Sequence, residues 1–284
     1  MIEQLRSKAK ELLQSGAVRA VIGYERGSDG LTARPAFIYQ ADDVARLIFD
    51  QTCTHNLVKY LLNQKDGKVA LVVKPCDLRA LNVLLQENQI KREQAFLIGV
   101  ACPGVVEARW GQVSQSLQPR CRACAQHTPS ACDFAVGELP AAESAADTPY
   151  QEVMELEGKP LGERRAFWQE QFQHCIRCYG CRAVCPGCYC AECFVDQLNP
   201  LWAGPRIAPG ENWLWGSIRA FHLAGRCAGC DECERVCPLG LPLRLLNEKL
   251  EKDVGDLFAF QAGRDAETSP ALATFRKEDL GGEK

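Results

Sequence analysis

Apolar positions along the first half of the chain follow two periods. Over residues 3–14, Leu5, Leu12 and Leu13 return at helical spacing with Lys8 on the same face, and Gly16 supplies a stop. Residues 17–24 are apolar except for Arg19 and read as a buried strand, and residues 35–39 read as a second. Helical patterning follows over 41–49 and 56–62. Residues 68–74, between the flanking Lys68 and Lys74, and 95–101 are continuously apolar rather than alternating, the pattern of parallel strands covered on both faces, with a helical crossover over 78–85 between them. Ligand sites in such sheets lie just beyond the carboxyl ends of the strands. Cys76 and Cys102 stand there, in Pro75-Cys76-Asp77 and Cys102-Pro103-Gly104.

The pattern then changes. Residues 138–160 are small, acidic and proline-spaced, and read as a linker. A helix is expected over 161–172, and an amphipathic one over 212–224, whose Trp213, Trp215 and Phe221 suit a core around a cofactor better than an electron path. The expected architecture is an α/β N-terminal domain with a small, mostly parallel sheet (1–140), a linker (141–160), a cysteine-rich domain with a helical insertion (161–262) and a tail (263–284).

Cysteine spacing carries the chemistry. Two runs, Cys175-x2-Cys178-x2-Cys181-x3-Cys185-Pro186 and Cys227-x2-Cys230-x2-Cys233-x3-Cys237-Pro238, both read C-x2-C-x2-C-x3-C-P. Bacterial two-cluster ferredoxins hold two 4Fe-4S cubanes with this spacing, the fourth cysteine of each run ligating the other cluster. Cys175, Cys178, Cys181 and Cys237 are thus assigned to one cluster, and Cys227, Cys230, Cys233 and Cys185 to its neighbour. Three thiolates two residues apart wrap one face of a cube, the x3 step starts a short helix, and proline stops it. A zinc ribbon usually has C-x2-C pairs alone, and a disulfide framework needs an oxidising compartment. Cys121-x2-Cys124, taken with Cys76 and Cys102, makes a set suited to a third cubane; the alternative is two ordinary buried cysteines and a pair that binds zinc or nothing.

Five cysteines remain. Cys188, Cys190 and Cys193 form C-x-C-x2-C directly after the first run and, with a distant donor such as Cys53, suit a fourth cluster or a structural zinc; Cys53 could equally stand in for Cys76. Cys132 reads as unligated. Arg177, Arg182, Arg219 and Arg226 lie near ligands, where a positive charge would stabilise a reduced cluster, and His127 and His174 could donate hydrogen bonds to one.

Composition adds bounds. With 284 residues, 46% of them hydrophobic, the chain can bury a real core, and seventeen cysteines with no apolar leader after Met1 point to the cytoplasm. A net charge of -3 without a basic run gives no nucleic-acid footprint, no apolar stretch reaches the length of a membrane span, and no G-x-G-x-x-G follows a strand. No nucleophile–base arrangement, carboxylate pair or phosphate loop stands out, which argues against a hydrolase or transferase.

Several of these segments together resemble one family. They are Lys74-Pro75-Cys76-Asp77 followed by Ala80-Leu81, the Cys102-Pro103-Gly104 turn, Cys121-x2-Cys124 with Pro129 and Asp133, the run from Cys175 to Cys193, and Pro238-Leu-Gly-Leu-Pro242. Their order, from about residue 17 to 272, is similar to the beta subunits of coenzyme F-420-dependent formate dehydrogenase and F-420-reducing hydrogenase. The resemblance implies an iron-sulfur and flavin subunit. Such a subunit passes electrons between a formate dehydrogenase- or hydrogenase-like catalytic subunit and the deazaflavin or a heterodisulfide-reductase-like partner. Two departures matter. The family has a Cys-Gly-Gly segment upstream of the first strand, whereas Met1 lies close to that strand here. It also has a much longer stretch where this chain has only residues 105–120. Those segments would wall the flavin and deazaflavin. The clusters and the electron-transfer role therefore carry over, and FAD, with a flavin- or deazaflavin-dependent reductase activity, stays an alternative. A structural or redox-sensing iron-sulfur module is a third.

Overall fold

The computed structural model describes residues 1–64, 67–109, 111–138 and 148–271. Its first part runs α1 (Ile2–Gln14), β1 (Ala20–Arg26), β2 (Ala33–Ile38), β3 (Val69–Val73), α2 (Pro75–Gln86), β4 (Ala95–Val100), β5 (Val106–Arg109), β6 (Gln112–Leu117), α3 (Pro119–Arg122) and β7 (Phe134–Val136). Five strands form one mixed sheet in the order β2-β1-β3-β4-β7, parallel throughout except for the antiparallel edge strand β2. β3 is buried along its whole length, and β4 nearly so, which is why both read as unbroken apolar runs. Each fully buried Val or Leu there contributes about 1.5–3 kcal/mol.

The expected helices over 41–49 and 56–62 are tight 3-10 turns instead, Ala41–Arg46 and Leu57–Asn63. The first ends because Ile48 leaves it to bridge Tyr24 of β1, donating its N–H to the Tyr24 carbonyl at 2.9 Å. β5 and β6 form a hairpin and β7 adds to the sheet edge; β5 and β7, four and three residues long, are too short a window for periodicity to register, and the six residues of β6 bury no face.

The second part comprises α4 (Gln151–Glu157), α5 (Leu161–Gln173), α6 (Gly180–Val184), α7 (Pro209–His222), α8 (Glu232–Arg235) and α9 (Leu243–Phe258). The linker expectation needs correction where it can be seen. Residues 139–147 lie outside the described residues, but α4 is a helix that buries Val153 and pairs Glu152 with Arg244 of α9 at 2.7 Å. The tail expectation changes similarly over 263–271: Asn82 donates to the Gly263 carbonyl at 3.1 Å, and Gln86 donates to the carbonyls of Asp265 at 3.0 Å and Thr268 at 2.7 Å. Residues 272–284 lie outside the described residues.

The two parts pack directly on one another through the outer face of α2 and its flanks. Arg79 pairs with Glu251 of α9 at 2.6 Å, Glu87 pairs with Arg226 at 2.5 Å, and Lys59 donates to the Cys188 carbonyl at 2.7 Å. Arg109 of β5 donates to the carbonyls of Glu234 and Cys237. Among the described residues no helix is long and apolar enough to cross a membrane.

Candidate metal centres

Both cysteine runs have the same backbone. Arg177 and Tyr179 in the first, and Gly229 and Asp231 in the second, occupy equivalent positions and all have φ between 49° and 61°. Left-handed residues at these two steps curl each loop on itself, at a cost of about 1–2 kcal/mol for each non-glycine residue. The loops then enter α6 and α8, which carry Cys181 and Cys233 and end just before Cys185 and Cys237.

Three cavities result, each ringed by four thiols. The outer one is lined by Cys175, Cys178, Cys181 and Cys237, with Phe172, Trp215 and Leu241 among its apolar wall. The middle one is lined by Cys227, Cys230, Cys233 and Cys185. The sheet-end cavity, about 660 Å³, is lined by Cys76 at the start of α2, Cys102 after β4, and Cys121 and Cys124 at α3. Cys185 and Cys237 have thus exchanged cavities relative to their own runs.

The cavities lie in series. Asn247 of α9 borders the outer and middle ones and donates to the Cys233 sulfur at 3.3 Å, while Ala228 borders the middle and sheet-end ones. Trp215 lines the outer cavity, as the pattern suggested, and Phe172 lines it too; Trp213 and Phe221, expected in the same core, are more exposed, Trp213 packing edge-on against Phe172 and Phe221 facing solvent. A Cβ on Gly216 of α7 would meet the Phe172 ring at 2.2 Å. Gly216→Ala should therefore cost about 1–3 kcal/mol in urea unfolding and disturb the outer cavity, since the ring cannot recede without repacking.

Burial sets the thiol chemistry. It pushes the Cys76 and Cys233 thiols up to about 12, and also raises Cys102, Cys175, Cys181, Cys227 and Cys230. Metal binding there must displace protons. Cys185 differs, because the Cys188 thiol hydrogen-bonds to it and draws it down to about 6. Among the described residues no three His, Cys, Asp or Glu side chains converge closely enough to hold a single metal ion. Around one zinc, four sulfurs would lie about 3.8 Å apart; these thiols ring cavities instead, a donor set that suits a cube offering one iron to each thiolate.

The remaining cysteines are dispersed. Cys53 is fully buried in the α/β core, accepts from the Asp50 N–H at 3.4 Å and lines none of the three cavities, so it replaces neither Cys76 nor a distant donor for Cys188, Cys190 and Cys193. Those three also do not converge: Cys188 turns to Cys185, Cys190 is exposed and Cys193 meets Arg182. Cys132 packs beside Gly99 of β4. Of the arginines, Arg182 pairs with Asp196 at 2.7 Å, Arg226 pairs with Glu87, and Arg177 donates to the Gly204 and Arg206 carbonyls. Arg219 is buried in the wall of the outer cavity, donating to the Cys181 carbonyl at 3.0 Å within electrostatic reach of Cys185 and Cys233. His127 lines the sheet-end cavity, its Nδ1 2.9 Å from the Cys102 carbonyl. Sequence patterning passed over Arg120, which is also in that wall, because a charged residue beside C-x2-C has no periodicity to mark it.

No family model matches the chain. Among curated relatives, the F420-dependent formate dehydrogenase subunit beta of Methanocaldococcus jannaschii is 22% identical over 356 aligned residues, covering 92% of this chain and 91% of the relative. The F420-dependent formate dehydrogenase 1 subunit beta of Methanococcus maripaludis is 23% identical over 354, covering 93% and 91%. The chain is a relative of these beta subunits. The resemblance read from the cysteine runs thus extends along nearly the whole sequence. Both alignments are longer than the 284 residues of this chain, so these beta subunits carry residues within the aligned span that it lacks.

Proposed function

We propose that the chain is the electron-transfer subunit of an oxidoreductase complex. It would hold three 4Fe-4S clusters, two of them in a ferredoxin-like domain at residues 161–262 and the third at the carboxyl ends of the sheet strands. The exchange of Cys185 and Cys237 between neighbouring cavities carries this reading, because it is the ligand crossover that two-cluster ferredoxins require. Bound clusters would take up and release electrons one at a time. The protein supplies the thiolates, the apolar walls that exclude water, the Asn247 hydrogen bond to Cys233 and the buried charge of Arg219. The serial order of the cavities suits a relay between a formate dehydrogenase- or hydrogenase-like catalytic subunit and an acceptor such as a heterodisulfide-reductase-like partner.

Elemental analysis of anaerobically purified protein tests the proposal. About twelve irons per chain with matching sulfide and no zinc is the expected result. Eight would remove the sheet-end cluster, and four or fewer would overturn the relay. A flavin-dependent reductase is the second reading, favoured by the room around Cys76, Cys102, Cys121 and Cys124. It requires a yellow chromophore that remains after the iron is chelated.

A further inference from the structure

The sheet-end cavity contains a guanidinium that the ligand set does not explain. Arg120 precedes Cys121 on α3, and its Nε and Nη1 atoms are covered from solvent with no hydrogen-bond partner among the described residues. Nη2 has only a long contact, 3.4 Å, to the Thr54 carbonyl. Arg120 lines the sheet-end cavity together with Cys76 and Cys121, and is within electrostatic reach of Cys230 and Asp231 in the wall of the middle cavity. Two of those thiols belong to the sheet-end cavity and one to the middle cavity. Asp231 is the only carboxylate among them; it is half-buried, with Arg244 at 3.9 Å and the carboxylates of Glu248 and Glu234 also within electrostatic reach.

A cation with two unmet N–H groups is costly to bury unless negative charge arrives to meet it. Thiolate-bound iron-sulfur clusters in the two cavities would bring that charge. We infer that Arg120 is a positioning residue at the junction of the middle and sheet-end cavities, where its guanidinium sets the reduction potentials of both clusters and so the ease of transfer between them. The inference rests on the three-cluster reading above. Arg219 lines the outer cavity within electrostatic reach of Cys185 and Cys233 of the middle one, which gives each step of the relay its own arginine.

This role differs from that of a structural partner for Asp231 in what its removal does to the empty and loaded protein. The test compares wild type, Arg120→Met and Arg120→Lys as full-length chains. It measures iron per chain, the midpoint potentials of each cluster by EPR-monitored titration, and the melting temperatures of the loaded and iron-free forms. With Arg120→Met, two of three potentials should fall while the third, belonging to the Cys175 set, stays fixed, and Arg120→Lys should recover part of the shift. The loaded form should melt lower and the iron-free form no lower than wild type, since the variant no longer buries an unmet cation. Full iron content with unmoved potentials, or equal destabilisation of loaded and iron-free forms, would overturn the inference and leave the three-cluster reading standing. A wild-type chain that binds only eight irons would overturn both.

Discussion

Cys237→Ala is expected to abolish the cluster in the outer cavity, lowering iron by about four per chain, and to leave the middle cluster in place. The outcome runs against sequence proximity: Cys237 lies four residues from Cys233, yet its thiol lines the cavity of Cys175, Cys178 and Cys181. Cys185→Ala should do the converse, emptying the middle cavity of Cys227, Cys230 and Cys233. There the neighbouring Cys188 thiol, already in contact with Cys185, is placed to substitute, so the full loss is expected only in Cys185→Ala/Cys188→Ala. Iron analysis with EPR of the reduced protein separates the two centres. If Cys237→Ala removes the signals of the Cys227 set alone, the crossover is wrong.

The second large effect is on stability, at Lys74. This side chain is 1% exposed, its Nζ 3.0 Å from the fully buried carboxylate of Asp77, and it donates to the Tyr24 hydroxyl and to the His55 carbonyl at 2.8 Å. Asp77 also accepts from the Lys74 N–H at 2.9 Å, which caps α2 and sets the backbone at Cys76. Lys74→Met would leave a buried carboxylate with no cation, a change that typically costs about 3–5 kcal/mol. Urea unfolding of the iron-free chain at pH 7 should show that loss, and iron should fall at the sheet-end cavity because Cys76 is no longer held. Lys74→Met/Asp77→Asn should recover most of the stability, since the amide keeps the cap and carries no charge. A single variant within about 1 kcal/mol of wild type would mean that the pair does not hold this corner of the fold.

Much of this was legible in the sequence, for identifiable reasons. The parallel strands declared themselves because residues 69–73 and 95–100 are apolar on both faces, and two cysteines standing just past such strands are conspicuous. The duplicated C-x2-C-x2-C-x3-C-P runs encode a loop-and-helix geometry in local spacing, so the pairing of Cys185 and Cys237 with the opposite runs could be stated before any coordinates. Local spacing also explains the errors. The stretch at 41–49 has helical periodicity, but pairing of Ile48 with Tyr24 offers its backbone a better partner than another helical turn. The acidic segment before residue 161 looks like a linker until Arg244, ninety-two residues away, meets Glu152.

By itself, then, the sequence determined which atoms are available and how those within a dozen residues are arranged: the strands, the crossover helix, the thiol loops and the quartets built from them. Tertiary structure alone decided that Cys53 belongs to the core, that the three cavities stand in series, and that Arg120 lies in the wall of the sheet-end cavity with its Nε and Nη1 covered from solvent. Those outcomes depend on distance and dielectric between residues far apart in the chain. Neither has a period or a spacing that a sequence can display.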